Sequence, residues 1–125
     1  MDTNANRHEH EHGVLELLAH LKEPVPSLQQ FKKVSDIFKI LGDPNRCRIF
    51  WILCHCETCV IDLSNRVEMT SPAVSHHLRQ LRNMDLVISE RIGKEVYYRA
   101  AETEITALLH QMIEKVIDLA CPYAD

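Results

Sequence analysis

Apolar residues along the chain keep helical spacing at first, switch to strand alternation, then return to helical spacing. Residues 1–12 (MDTNANRHEHEH) hold no apolar residue after Met1 except Ala5, and are expected to form a flexible, His-rich arm ahead of a single domain spanning 13–125. Val14, Leu17, Leu18 and Leu21 then predict a short amphipathic helix, ended by Pro24 and Pro26. A second helix follows on Val34, Ile37, Phe38 and Leu41, stopped by Gly42. Asp43-Pro44 restarts the chain as an N-cap with a first-turn proline, and RCRIFWIL continues it as a buried helix. A short turn around 54–57 leads to a helix bearing Val60, Leu63 and Val67.

The next segment carries the strongest pattern. Ser71 is read as a cap with Pro72 in the first turn, and Val74, Leu78 and Leu81 repeat at i, i+4, i+7. The other face holds Ser75, His76, Arg79 and Arg82, all donors with no carboxylate among them. After Asp85 the period drops to two through Val87, Ser89 and Arg91, turns at Gly93-Lys94, and resumes through Val96, Tyr97 and Tyr98. A donor-rich helix feeding a basic hairpin is the layout of a winged helix-turn-helix. The fold class is therefore mostly α with a β-hairpin wing. The candidate DNA contacts are Ser71, Ala73, Ser75, His76, Arg79 and Arg82 on the helix, with Arg91 and Lys94 on the wing.

After the hairpin, Ile105, Leu108, Leu109, Met112, Ile113, Val116 and Leu119 form an apolar stripe too wide for one small core. Together with the Leu17/Leu18 face it calls for a second copy of the chain. Leu17, Leu18, Leu108, Leu109 and Met112 are the candidate dimer contacts. A symmetric dimer would present two recognition helices to half-sites about one helical turn, roughly 10 bp, apart.

At 125 residues the chain is long enough for one domain with a modest core. It holds no stretch of membrane-span length and no opening export signal, so a cytoplasmic protein without membrane partner is expected. The net charge of −4 sits oddly with a DNA binder until it is divided. Residues 1–30 carry −3, residues 31–101 carry +3, and residues 102–125 carry −4, so positive charge gathers where phosphates would be met. No nucleophile elbow, phosphate loop or HExxH occurs, so neither an enzyme nor a small-molecule substrate is expected.

Five cysteines without an export signal suit reduced thiols or metal ligands. Cys54, Cys56 and Cys59 form C-x-C-x-x-C at the expected turn, where three thiolates could converge on zinc, cadmium, lead or trivalent arsenic. Individually each reads as a small buried hydrophobe, as Cys47 does. His8, His10 and His12 on the arm alternate with glutamates and could complete a coordination shell, or form only a solvated tail. Cys121-Pro122 reads as a helix end more readily than as a thiol ligand or haem contact. On the last helix Glu102, Glu104, His110, Glu114 and Asp118 invite a second metal reading, although a solvated helix face carries such residues routinely.

Across roughly residues 31–119 the chain resembles the ArsR/SmtB family of metal-responsive winged-helix repressors. The stretches that carry this are FKILGDPNRCRIFWIL, ETCVIDLS, SPAVSHHLRQLR and GKEVYYR. The resemblance implies a homodimer built by the first and last helices, bound to double-stranded operator DNA and released by a metal or metalloid inducer. It also implies two site classes. Glu57 to Asp62 is similar to the family's thiolate motif ELCVCD: Cys59 matches the first cysteine and Ile61 stands in place of the second. The family's last-helix site maps to Glu102, Glu104, Lys115 and Asp118, and Lys115 is a poor ligand. Ser71 and Pro72 replace a common Gln-Ser. The thiolate site is thus the expected inducer site. Two rivals remain open: a repressor sensing thiol oxidation or persulfide formation, and a metal-sequestering protein that does not bind DNA.

Overall fold

The computed structural model describes residues 13–20 and 24–121, so the arm histidines His8, His10 and His12, with Leu21 and Pro122, lie outside the described residues. The chain divides into two units, Met1–Ser35 and Asp36–Asp125. In the first, helix α1 covers 13–19, with Leu17 exposed and Leu18 half-buried. Helix α2, Leu28–Leu41, starts there and ends in the second unit.

The second unit then runs α3 (Pro44–His55), β1 (Thr58–Cys59), α4 (Val60–Val67), α5 (Ser71–Asn83), β2 (Val87–Ile92), β3 (Glu95–Ala100) and α6 (Glu104–Ala120). Asp43 caps α3, its side chain accepting from Arg46 N at 2.9 Å, and Pro44 occupies the first turn where its missing N–H costs nothing. Gly42 allows the chain to leave α2, because a Cβ there would stand 3.2 Å from the Phe38 carbonyl oxygen. Ile49, Phe50 and Leu53 of α3, Leu63 and Val67 of α4, and Val74, Leu78 and Leu81 of α5 meet Leu86, Val87 and Leu109 in one core. Ile37, Ile40 and Leu41 close it from the end of α2. No helix among the described residues is long and apolar enough to cross a membrane.

The wing is a hairpin in which Val87 pairs with Ala100 and Ile92 with Glu95, leaving the two-residue turn Gly93-Lys94. Gly93 takes φ +65°, the first central position of a type II′ turn, which suits the twist of the strands. The sheet gains a third strand that the sequence pattern did not disclose. β1 pairs with β3 through Thr58 and Tyr98 and through Cys59 and Tyr97, giving the order β1-β3-β2.

Three expectations need correction. The cap of α5 is Thr70, whose hydroxyl accepts from Ala73 N at 3.3 Å, so Ser71 is the first helical residue and not the cap. The expected turn at 54–57 begins later, since Cys54 and His55 still belong to α3. Leu109, expected at a dimer contact, is only 6% exposed and belongs to the core. The α6 stripe is wide because it covers two faces. Thr106, Leu109 and Ile113 turn inward, while Leu108, Met112, Val116 and Leu119 stay exposed.

Candidate nucleic-acid interface and metal centre

α4 and α5 form the helix-turn-helix, joined where Glu68 adopts a left-handed φ of 56° as the C-cap of α4. Ser64 and Ser71 hydroxyls meet at 3.3 Å across that joint, so Ser71 is partly committed to holding the two helices together. Val74, His77, Leu78 and Leu81 anchor α5 inward. His76, Arg79 and Arg82 are exposed, while Ala73 and Ser75 are half-buried. Arg82 donates to Ser89 Oγ at 3.4 Å and ties the end of α5 to the wing. Arg91 and Lys94 stand exposed at the hairpin tip.

Not every cation in the positive middle of the chain is available for DNA. Arg46 donates through Nε to the Ile40 carbonyl at 2.6 Å, and Arg48 donates through Nη2 to the Val67 carbonyl at 2.7 Å, so both serve the fold. Arg99 is shared between Glu57 at 3.4 Å and Glu102 at 3.1 Å. Arg79 and Arg82 on α5 and Arg91 and Lys94 on the wing are exposed. His77, which the sequence reading passed over, is buried against Arg46, with Nδ1 3.4 Å from Nη1. Burial first, then the charges of Arg46 and His76, hold its pKa below the usual imidazole value, against the pull of Asp43.

The three thiols bracket the α3–α4 connection without meeting. Cys54 is on the last turn of α3 and half-buried; burial, with the charge of Glu114, pushes its pKa up to about 11. A raised thiol pKa disfavours oxidation and metal ligation at Cys54 alike, because both act through the thiolate. Cys56 is exposed at the end of α3 and its thiol donates to the Ile52 carbonyl at 3.5 Å. Cys59 is buried in β1 and fixed by its pairing with Tyr97. Cys54 and Cys56 do share a cavity of about 680 Å³ with His55, His110, Glu102 and Glu104, but Cys59 does not line it. Of the residues matched to the last-helix site, Glu102 is engaged by Arg99. Cys121 is exposed at the end of α6, and Cys47 is half-buried, its pKa raised by burial.

One cluster of possible ligands is assembled among the described residues: His55, His110 and Glu114. Glu114 Oε1 lies 2.8 Å from His110 Nε2 and 3.2 Å from His55 Nε2, and the two ring nitrogens are 3.0 Å apart. Trp51 Nε1–H donates to the same oxygen at 3.3 Å. Although desolvation would raise the Glu114 pKa, hydrogen bonds from His110 and His55 outweigh it and hold the carboxyl below its usual value. His110 and Glu114 are legible in the sequence as a pair at i, i+4. His55 is not evident as their partner; its one sequence signal is its place one turn after Trp51, with the two rings 4.3 Å apart.

A helix-turn-helix with a hairpin wing and exposed cations on both defines a winged-helix DNA-binding protein. The profile described as "Bacterial regulatory protein, arsR family" matches residues 43–89. The chain is 35% identical over 100 residues to a transcriptional repressor SmtB homolog of Synechocystis sp., covering 80% of this chain and 76% of the relative. It is 40% identical over 77 residues to the cadmium resistance transcriptional regulatory protein CadC of Listeria innocua, covering 61% of this chain and 65% of that one. Among solved structures it is similar to the homodimeric winged helix-turn-helix DNA-binding domain of Mb0332 from Mycobacterium bovis. That match has a TM-score of 0.65 at 26% identity, over 77% of this chain and 91% of the other. The chain belongs to the ArsR family of transcriptional regulators, which are DNA-binding proteins and not enzymes.

Proposed function

We propose that the protein is a cytoplasmic, homodimeric repressor that holds operator DNA and lets go when a metal or metalloid ion binds. The observation that carries the DNA part is the exposure of Arg79, Arg82, Arg91 and Lys94 on α5 and the wing, with His76 also exposed on α5. In this reading His76 and Arg79, with Ser71, Ala73 and Ser75, face the major groove, while Arg91 and Lys94 meet phosphates. The dimer contact uses the outer face of α6, Leu108, Met112 and Val116, together with α1 through Leu17 and Leu18. An apolar groove of about 360 Å³ between Phe38, Leu41, Cys47, Met112 and Val116 supports this, because apolar lining of that extent favours a partner surface over water.

The release signal belongs to the chemistry of cadmium, zinc, lead or trivalent arsenic. The relative CadC is named for cadmium resistance, and Cys54 and Cys56 open onto one cavity beside two imidazoles. Cys59, buried in β1, and arm residues His8, His10 and His12 are further candidate ligands. Bound there, a soft ion supplies a cross-link between thiolates at the α3–α4 joint. Fluorescence anisotropy with a labelled duplex from the DNA upstream of its own gene tests the proposal. Salt-sensitive binding reversed by cadmium or arsenite is the expected result. Equal, weak affinity for operator and scrambled duplexes, with no response to either ion, would refute it.

A further inference from the structure

We propose that His55, His110 and Glu114 form a binding site for a borderline divalent cation of the zinc class, joining the end of α3 to α6. Its ligand set differs from the thiols around the α3–α4 joint and from Glu102, Glu104, Lys115 and Asp118, although His55 and His110 line the same cavity as Cys54 and Cys56. The three ligand atoms form a triangle with edges of 2.8, 3.0 and 3.2 Å. A tetrahedral zinc ion with bonds of about 2.0–2.1 Å requires ligand–ligand edges of about 3.3–3.4 Å. The triangle therefore needs to open by only a few tenths of an ångström to become one face of the tetrahedron. Rotation of the three side chains supplies much of that opening.

Protons serve this triangle poorly. A neutral imidazole has one N–H, so if both Nε2 atoms donate to Glu114 Oε1, two hydrogens crowd a 3.0 Å gap between ring nitrogens. If one ring accepts instead, its Nε2 is a lone pair aimed into the triangle. A cation seated there takes both lone pairs and the carboxylate charge together. Two nitrogens and one oxygen suit zinc, cobalt or nickel, whereas lead and arsenite favour the thiols. His55 and Glu114 are exposed and His110 is half-buried, so a fourth position stays open to water.

The parts are held from two elements. His110 and Glu114 stand at i, i+4 on α6. His55 is kept by Trp51, whose ring lies 4.3 Å away and whose indole N–H fixes Glu114. If the repressor reading above holds, a cation here would also alter operator affinity, since α3 packs against α5.

Trp51 is the sole tryptophan and adjoins the site, so it gives a readout independent of DNA. The full chain with His8, His10 and His12 changed to alanine, which removes arm binding, is titrated with cobalt(II) and then zinc. Expected are a visible ligand-field band and Trp51 quenching that saturates with it, with one cobalt per chain and no sulfur-to-cobalt charge transfer once Cys54, Cys56 and Cys59 are serine. H110Q and E114Q, with unchanged circular dichroism, should each lose affinity by at least about tenfold, the loss that removing even an outer-shell partner brings. The C54S/C56S/C59S variant should keep band and quenching. Cobalt binding that survives H110Q and E114Q, or that vanishes only with the cysteines, overturns the site. Metal-free anisotropy with the duplex judges the repressor reading separately: a duplex that binds without any quenching by cobalt sinks only the cation site.

Discussion

Lys94→Ala tests the DNA-facing geometry most directly. Lys94 follows Gly93 in the wing turn, is exposed, and can be truncated without touching the core. In the reading above Arg91 and Lys94 of each protomer meet phosphates, so a symmetric dimer neutralises about four and shows a slope of log K against log salt near −3.6, at about 0.9 per phosphate. The substitution removes two contacts per dimer and should bring the slope to about −1.8. Between 50 and 200 mM salt the wild type should then lose roughly 150-fold in affinity and the variant roughly 12-fold. Anisotropy at five salt concentrations, with operator and scrambled duplexes, measures both slopes. The loss should be the same on both duplexes, because phosphate contacts carry no sequence information. An unchanged slope refutes the wing contact. A change of only about 0.9 means that one wing engages and refutes the symmetric arrangement.

The two neighbours on α6 should behave oppositely: Leu108→Glu, at a residue 64% exposed, should leave the fold intact and yield a monomer in sedimentation, whereas Leu109→Glu should unfold the chain by burying an unpaired charge. A folded dimeric Leu108→Glu protein would remove α6 from the interface. Because burial depresses the His77 pKa, the unfolded chain binds the extra proton first; stability is whole above 6.5 and falls as pH drops below it. Urea midpoints at pH 7.5 and 5.5 should show this decline, and H77Q should reduce it. Asp43→Ala should cost about 1 kcal/mol in urea unfolding through the lost α3 cap, with Asp43→Asn retaining most of it.

Periodicity disclosed the elements whose residues repeat over three turns or four strand positions: α3, α5, α6 and the hairpin. It could not disclose β1, because two residues have no period and Thr58–Cys59 are strand only through their partners Tyr97 and Tyr98. The same pairing explains why C-x-C-x-x-C misled as geometry. Close spacing in sequence suggested convergence, but Cys54 is fixed on a helix and Cys59 in a sheet. The α6 stripe was legible as an excess of apolar surface, but not as two faces, since Leu108 and Leu109 are adjacent and about 100° apart around the helix. The His55–Glu114 contact spans 59 residues and was invisible to any local pattern; only its α6 half could be read.

The position of α3 suggests how an event at its C-terminal end can reach DNA. Near its start, Arg46 meets His77 on the buried side of the recognition helix; at its end, Trp51 and His55 meet Glu114 of α6. Arg46 and His55 are nine residues apart, about 14 Å along a helix. Between them Ile49, Phe50 and Leu53 are buried in the close-packed core, through which a shift at one end can be passed to the other. On this view H77Q, which weakens the contact with Arg46, should leave cobalt affinity and Trp51 quenching at wild-type values while reducing the effect of the ion on operator affinity. A wild-type coupling of about 1–3 kcal/mol corresponds to roughly 5–150-fold release, and the variant should retain only a small part of it. The comparison needs the four equilibrium constants of each cycle: ion with and without duplex, and duplex with and without ion. Full coupling in H77Q would show that the signal bypasses this contact and reaches DNA by another route, the dimer face of α6 being the next to test.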